Sequence, residues 1–152
     1  MGTINSLGSE RAAVIAVIDP DVTAASTVTS AYVGMDLFNQ VMAVVMAGTL
    51  GSSATLDFKL VQATDSSGTS SKDITGKAIT QLTQGGTDNS DDQAIINCRA
   101  EELDVANGFD HVAMVMTVAT ATSDAGAILL GMSARYAPAS DNDVASVQEI
   151  VS

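Results

Sequence analysis

The sequence predicts an all-β chain: a two-sheet β-sandwich, jelly-roll-like, of about eight strands, with extended terminal arms or a short C-terminal helix. Three observations predict it. Short apolar runs recur between stretches rich in Gly, Ser, Thr, Asn and Asp. Several of these runs alternate apolar and polar with a period of two, the rhythm of a half-buried strand. No long stripe at helical spacing crosses the chain. An immunoglobulin-like sandwich is the nearest alternative, because strand order is not legible in one sequence.

The expected strands, in order, are AAVIAVI (12–18), STVTSAYV (26–33), QVMAVVMAG (40–48), ATLDFKLVQAT (54–64), KAITQLT (77–83), QAIINCRAE (93–101), HVAMVMTVAT (111–120) and AILLGMSARY (127–136). In 54–64, Leu56, Phe58 and Leu60 share one side, and Thr55, Asp57 and Lys59 the other. In 93–101, Ala94, Ile96, Cys98 and Ala100 lie opposite Asn97 and Arg99. In 111–120, Val112, Met114, Met116 and Val118 share a side. The run 40–48 is apolar on both: Val41, Ala43 and Val45 against Met42, Val44 and Met46. Such a strand is central, covered by a helix, or placed at a subunit contact.

The connections carry turn chemistry. TDSSGTSSKD (64–73) reads as a flexible surface loop, and QGGTDNSDD (84–92) as a second turn cluster. LDVANGF (103–109) contains the turn dipeptide Asn107-Gly108. SDAG (123–126) reads as the turn of a hairpin joining 111–120 to 127–136. In the tail, Val144, Val147 and Val151 fall near helical spacing, which predicts one or two turns capped by Asp141 or Asp143. The expected organisation is an N-terminal arm (1–11), a sandwich domain (12–138), and a C-terminal tail or short helix (139–152).

A chain of 152 residues suits one domain. Hydrophobic residues make up 46% but aromatics only 3%, with no Trp, so Ala, Val, Ile, Leu and Met must fill the interior. The resulting core is thin, and partner subunits are expected to complete it. Acids outnumber bases 18 to 6, for a net charge of −12. The bases (Arg11, Lys59, Lys72, Lys77, Arg99 and Arg135) are scattered along the sequence. Phosphate backbones are held by clustered cations, so neither direct nucleic-acid binding nor attachment to an anionic membrane is expected. Cys98 is the one cysteine, which leaves no intrachain disulfide. The N-terminal stretch has neither the basic start nor the apolar run of a signal peptide, and no membrane span is expected.

No reaction is legible. His111 follows Asp110, but no G-x-S-x-G elbow accompanies them, and a structural or surface histidine is the stronger reading. Cys98 falls on an inward face and reads as a packed thiol. Asp88, Asp91 and Asp92, Asp19 and Asp21, and Asp141 to Asp143 read as solvated turns, since none matches a calcium loop. Glu101, Glu102 and Asp104 lack the sugar-stacking aromatics that paired-carboxylate glycoside chemistry needs. The expectation is a non-enzyme with no cofactor and no metal. Most Met residues fall within strands and read as core, while Met35, in VGMDLF, is the freer candidate for a contact.

Two stretches, ATLDFKLVQATDSSGTSSKDITGKAITQL and QAIINCRAEELDVANGFDHVAMVMTVATATSDAGAILLGMSARYAPASDNDVASV, resemble small proteins encoded among the head genes of tailed bacteriophages and prophages. The resemblance covers residues 26–150, through LDFKL, KDITGKAITQLT and EELDV. It implies a capsid decoration or cement protein on the outer surface of the virion, assembled in the host cytoplasm. Its implied partners are the major capsid protein and further copies of itself, as a homotrimer. An N-terminal arm along the shell would use Ile4 and Leu7, and outward contacts would come from Val41, Ala43, Val45 and Met35. The rival roles are a head–tail connector, a tail or fibre-base component, and a glycan-binding sandwich using Tyr32 or Tyr136.

Overall fold

A computed structural model describes residues 5–152; Ile4 lies outside them. One helical turn, α1 (Gly8–Arg11), precedes ten strands: β1 (Ala12–Thr23), β2 (Ser26–Thr29), β3 (Val33–Gly34), β4 (Phe38–Ala47), β5 (Thr55–Ala63), β6 (Lys72–Ala78), β7 (Leu82–Thr83), β8 (Gln93–Arg99), β9 (His111–Ala119) and β10 (Ser123–Ala134). They form two antiparallel sheets that pack as a sandwich. The four-stranded sheet has the order β1-β10-β4-β8. The other runs β2-β9-β5-β6, with β3 joined to β9 and β7 to β5.

The order has a simple logic. Without the two-residue strands β3 and β7, the remaining eight, counted along the chain, run 1-8-3-6 in one sheet and 2-7-4-5 in the other. First pairs with last, second with seventh, third with sixth, fourth with fifth. A long antiparallel ribbon rolled around a core gives this pattern, the jelly roll.

The two-residue rhythm decides which side chains enter that core. Leu56, Phe58 and Leu60 of β5 and Val112, Met114, Met116 and Val118 of β9 are all 0–1% exposed. They stand in register, Phe58 opposite Met116 and Leu60 opposite Met114. From the other sheet come Val41, Ala43 and Val45 of β4, Ile96 and Cys98 of β8, and Leu129 of β10. Phe58 and Phe38 are the aromatic members of this cluster, so aliphatic and Met side chains supply most of its volume. The buried polar side chains are satisfied. Ser30 Oγ accepts the Met114 N–H at 2.9 Å, Gln62 Oε1 accepts the Asp104 N–H at 2.7 Å, and Ser123 Oγ accepts the Gly51 N–H at 3.0 Å.

Several local expectations are corrected. Val41, Ala43 and Val45 are not outward contacts: they are 0–1% exposed, and the opposite face of β4 points out. The sequence left both faces apolar, and only packing against the second sheet chose between them. Met35 is likewise 4% exposed, within the core rather than free for a partner. SDAG is not a hairpin turn. Ser123 to Gly126 lie inside β10, with Ala125 paired to both Ala47 and Asp21, and β9 and β10 belong to different sheets. β1 runs five residues past the expected end, through Pro20, because the register shifts between Ile18 and Asp21. The bulge carries Pro20 against Gly126, where a Cβ would stand 2.7 Å from the Pro20 backbone, so only glycine fits.

The strand expected at 77–83 instead begins at Lys72, and only Leu82–Thr83 extends it. The preceding loop is held in place. Asp65 Oδ1 accepts the N–H groups of Ser67 and Thr69, and the Tyr32 hydroxyl bonds Ser71 Oγ at 2.8 Å while its ring lies against Gly68. Those bonds also hold the Asp65 carboxyl below the usual carboxylate range, the Thr69 bond foremost. The C-terminal tail forms a single 3-10 turn, Ala139–Asn142. Its Asp143 does not cap a helix: Oδ1 accepts the Val14 N–H at 2.6 Å, and the Val144 N–H returns a bond to Val14 O at 2.8 Å, covering the outer edge of β1.

Candidate functional site

The outer faces of the two sheets differ in chemistry. On the β2-β9-β5-β6 sheet polar pairs stand among the outward positions, with Val61 and Ala113 buried and Val115 half-buried between them: Thr27 and Thr117 share a hydroxyl bond of 2.9 Å, Lys59 pairs with Asp73 at 2.7 Å, and Asp57 accepts from Gln81 at 2.7 Å. This surface is finished against water.

The outer face of the four-stranded sheet is not. Register places Val14, Leu130 and Met42 side by side across β1, β10 and β4. The next row is Val17, Ile128, Val44 and Ile95, spanning all four strands. Met132 and Met46 extend the patch towards its two ends. Ile95 is 57% and Met46 55% exposed, and the other members are half-buried. Isolated apolar residues on a surface are ordinary, but a continuous sheet face of them marks a contact surface. The signal was present in the sequence as the two-sided apolarity of 40–48. The outward set is Met42, Val44 and Met46, not the expected Val41, Ala43 and Val45.

The face is bounded by charge. At one end stand Arg99, opposite Gln40, and Arg135, whose N–H bonds Leu37 O at 2.9 Å. Arg99 pairs with Glu101 at 2.9 Å, and Glu102 lies beside it. The Glu102 carboxyl is held below the usual range, chiefly by the Arg99 backbone N–H and then by Lys77. Shallow clefts at this end are lined by Asn39, Ser133, Arg99 and Arg135, and by Arg11 and Pro138. At the other end Asp92 and Asp124 close the strands through backbone bonds from Ala47 and Gly48. Leu7, from the expected N-terminal arm, is 48% exposed, and Ile150 and Val151 of the tail are 48% and 84% exposed.

The chemical candidates are dispersed. His111 Nδ1 meets Asp110 Oδ1 at 2.6 Å at the start of β9. Cys98 is 1% exposed, and burial, aided by Glu102, pushes its thiol up to about 11. Asp104 is engaged with Lys72 and Asn107, the Lys72 contact being the main cause of its lowered pKa. Ser90 hydrogen bonds lower Asp88 in the same way. Among the described residues, no group of three or more His, Cys, Asp or Glu side chains is arranged to hold a metal ion. Tyr32 is committed to its loop, while Tyr136 is 74% exposed.

No protein-family model matches the chain, and no curated protein matches it significantly. Among solved structures, a chain from the "Structure of infectious bursal disease virus Gx strain" is similar at 10% identity and a TM-score of 0.40. The match covers 91% of this chain and 37% of that one, so this chain spans well under half of its length. A chain from a structure described as "Bacillus endospore appendages form a novel family of disulfide-linked pili" is similar at 12% identity and a TM-score of 0.31, covering 87% of this chain and 99% of that one. No described helix is long and apolar enough to cross a membrane.

Proposed function

We propose that this protein is a structural component of a virion, a decoration or cement protein that binds the outer surface of a phage capsid and stabilises it. The observation that carries this reading is the uncovered apolar face of the four-stranded sheet on an otherwise polar, acidic molecule. A surface of that kind is useful when another protein covers it. The resemblance of residues 26–150 to phage head-region proteins supports the virion as the setting.

The mechanism is mass action. A subunit that binds the mature shell and not its precursor stabilises the mature state by RT ln(1 + [L]/Kd), about 2.7 kcal/mol at a hundredfold excess over Kd. Contacts from one assembly to several capsomers add avidity without new contact types. The exposed Leu7 and the tail residues Ile150 and Val151 are placed to make such contacts beside the sandwich. The net charge of −12 keeps unbound copies soluble.

The test is cryo-electron microscopy of particles assembled with and without this chain. Density distributed over the shell, with lower thermal stability of the particles lacking it, is the expected result. Density confined to the neck, tail or fibre base would replace this reading with a connector or tail role. Glycan capture by purified protein, lost on Tyr136→Ala, would replace it with the sugar-binding one.

A further inference from the structure

We propose that a second copy of this chain covers the apolar sheet face, the two copies packing back to back about a two-fold axis that lies in the interface and crosses the strands. The inference rests on reading this face as an assembly contact; with the face closed by a second copy, shell contacts are made from the exposed Leu7, Ile150 and Val151 instead.

Size comes first. Four strands at about 4.8 Å spacing and ten residues of β4 at about 3.4 Å each give a face of about 19 by 34 Å. That approaches the roughly 800 Å² that each partner contributes to a stable interface, once rim residues are added. Two such faces stack about 10 Å apart with nearly aligned strands, as the two sheets of a sandwich do.

Charge selects the orientation. The three arginines, scattered in sequence, are gathered at one end of this sheet. Arg11 immediately precedes β1, Arg99 ends β8, and Arg135 immediately follows β10. The opposite end of the same three strands carries aspartates: Asp19 and Asp21 on β1, Asp92 just before β8, and Asp124 on β10. The arginine end also holds Glu10, Glu101, Glu102 and Asp143, so it carries no net positive charge, and Arg135 stands there without an acidic neighbour at ion-pair distance among the described residues, whereas the aspartate row has no base on these strands. A two-fold axis parallel to the strands would set aspartates on aspartates. The axis across the strands reverses the partner, lays β10 on β10 and sets Asp124 of each copy against Arg135 of the other. The arrangement is isologous: each copy offers the same patch, and the aspartate–arginine contact occurs twice. Arg135 suits this role because its exposed side chain has no acidic partner among the described residues of its own chain. Asp124 is exposed at the far end of the same strand.

Sedimentation of the full chain over a concentration series tests the proposal. The wild type is expected to be a dimer at micromolar concentration. Ile95→Lys, at a position already 57% exposed, should dissociate it with unchanged circular dichroism and thermal unfolding of the monomer. Arg135→Glu should weaken the dimer several-fold, and adding Asp124→Arg to it should recover part of the loss. A monomeric or trimeric wild type overturns the pairing. So does a dimer indifferent to Ile95→Lys, or one that Arg135→Glu leaves unchanged. Shell binding is measured separately, so a dimer that does not bind capsids would refute the virion reading and leave this one standing.

Discussion

Lys77 Nζ stands 2.9 Å from Glu102 Oε1 and donates to the Asn97 carbonyl at 2.8 Å. One side chain on β6, the edge of one sheet, thereby fastens the edge of the other at β8. Its side chain is 18% exposed and that of Glu102 29%, so the pair is partly shielded from solvent. Hydrogen bonds to charged groups in such settings contribute about 1.5–3 kcal/mol, and exposed ion pairs about 0–1. Lys77→Ala should cost about 1–2 kcal/mol, read as a lower denaturant midpoint with an unchanged slope.

The same carboxylate sets a pH dependence. The pKa of Glu102 is lower in the folded chain than in the unfolded one, because the Arg99 N–H and then Lys77 favour its charged form. Its contribution is therefore complete above the ordinary glutamate range, near about 4.3, and is lost as pH falls through the depressed folded value. Unfolding midpoints should fall between neutral pH and pH ~3. Glu102→Gln should be less stable at neutral pH and show a shallower acid loss. An identical acid slope in that variant would count against this assignment.

Cys98 should be silent in the native protein. It is 1% exposed, with its thiol raised to about 11, and thiolate is the reactive form. Labelling by a thiol reagent at neutral pH should track global unfolding. Rapid labelling of folded protein would show that β8 opens locally.

Adjacent valines of β4 should behave oppositely. Val45 is fully buried, and Val45→Ala should cost about 1.5–3 kcal/mol in the isolated chain. Val44 faces outward, and Val44→Ala should cost about 0.5 kcal/mol or less there. Equal losses at the two positions would mean that the outer face is already covered within one chain.

Gly126→Ala should destabilise by about 1–3 kcal/mol, because its Cβ would press on the Pro20 backbone, which cannot swing aside as a side-chain tip can. Pairing the change with Pro20→Gly should not restore stability, since the backbone of residue 20 is the obstacle.

The sequence by itself determined the all-β sandwich and the inward sets Leu56–Phe58–Leu60 and Val112–Met114–Met116–Val118, because a period of two places alternate side chains on opposite faces whatever the strand order. It could not choose a side for 40–48, where Val41, Ala43 and Val45 differ little in polarity from Met42, Val44 and Met46. Tertiary structure made that choice, since only the first set meets the second sheet. Strand order also came from the fold, because the partners of β10 lie far away in the chain, and SDAG reads locally as a turn although long-range pairing draws it into a strand. The gathering of Arg11, Arg99 and Arg135 at one sheet end arises in the same way. Their spacing in sequence carries no sign of it, and rolling the ribbon on itself brings the three strand ends together.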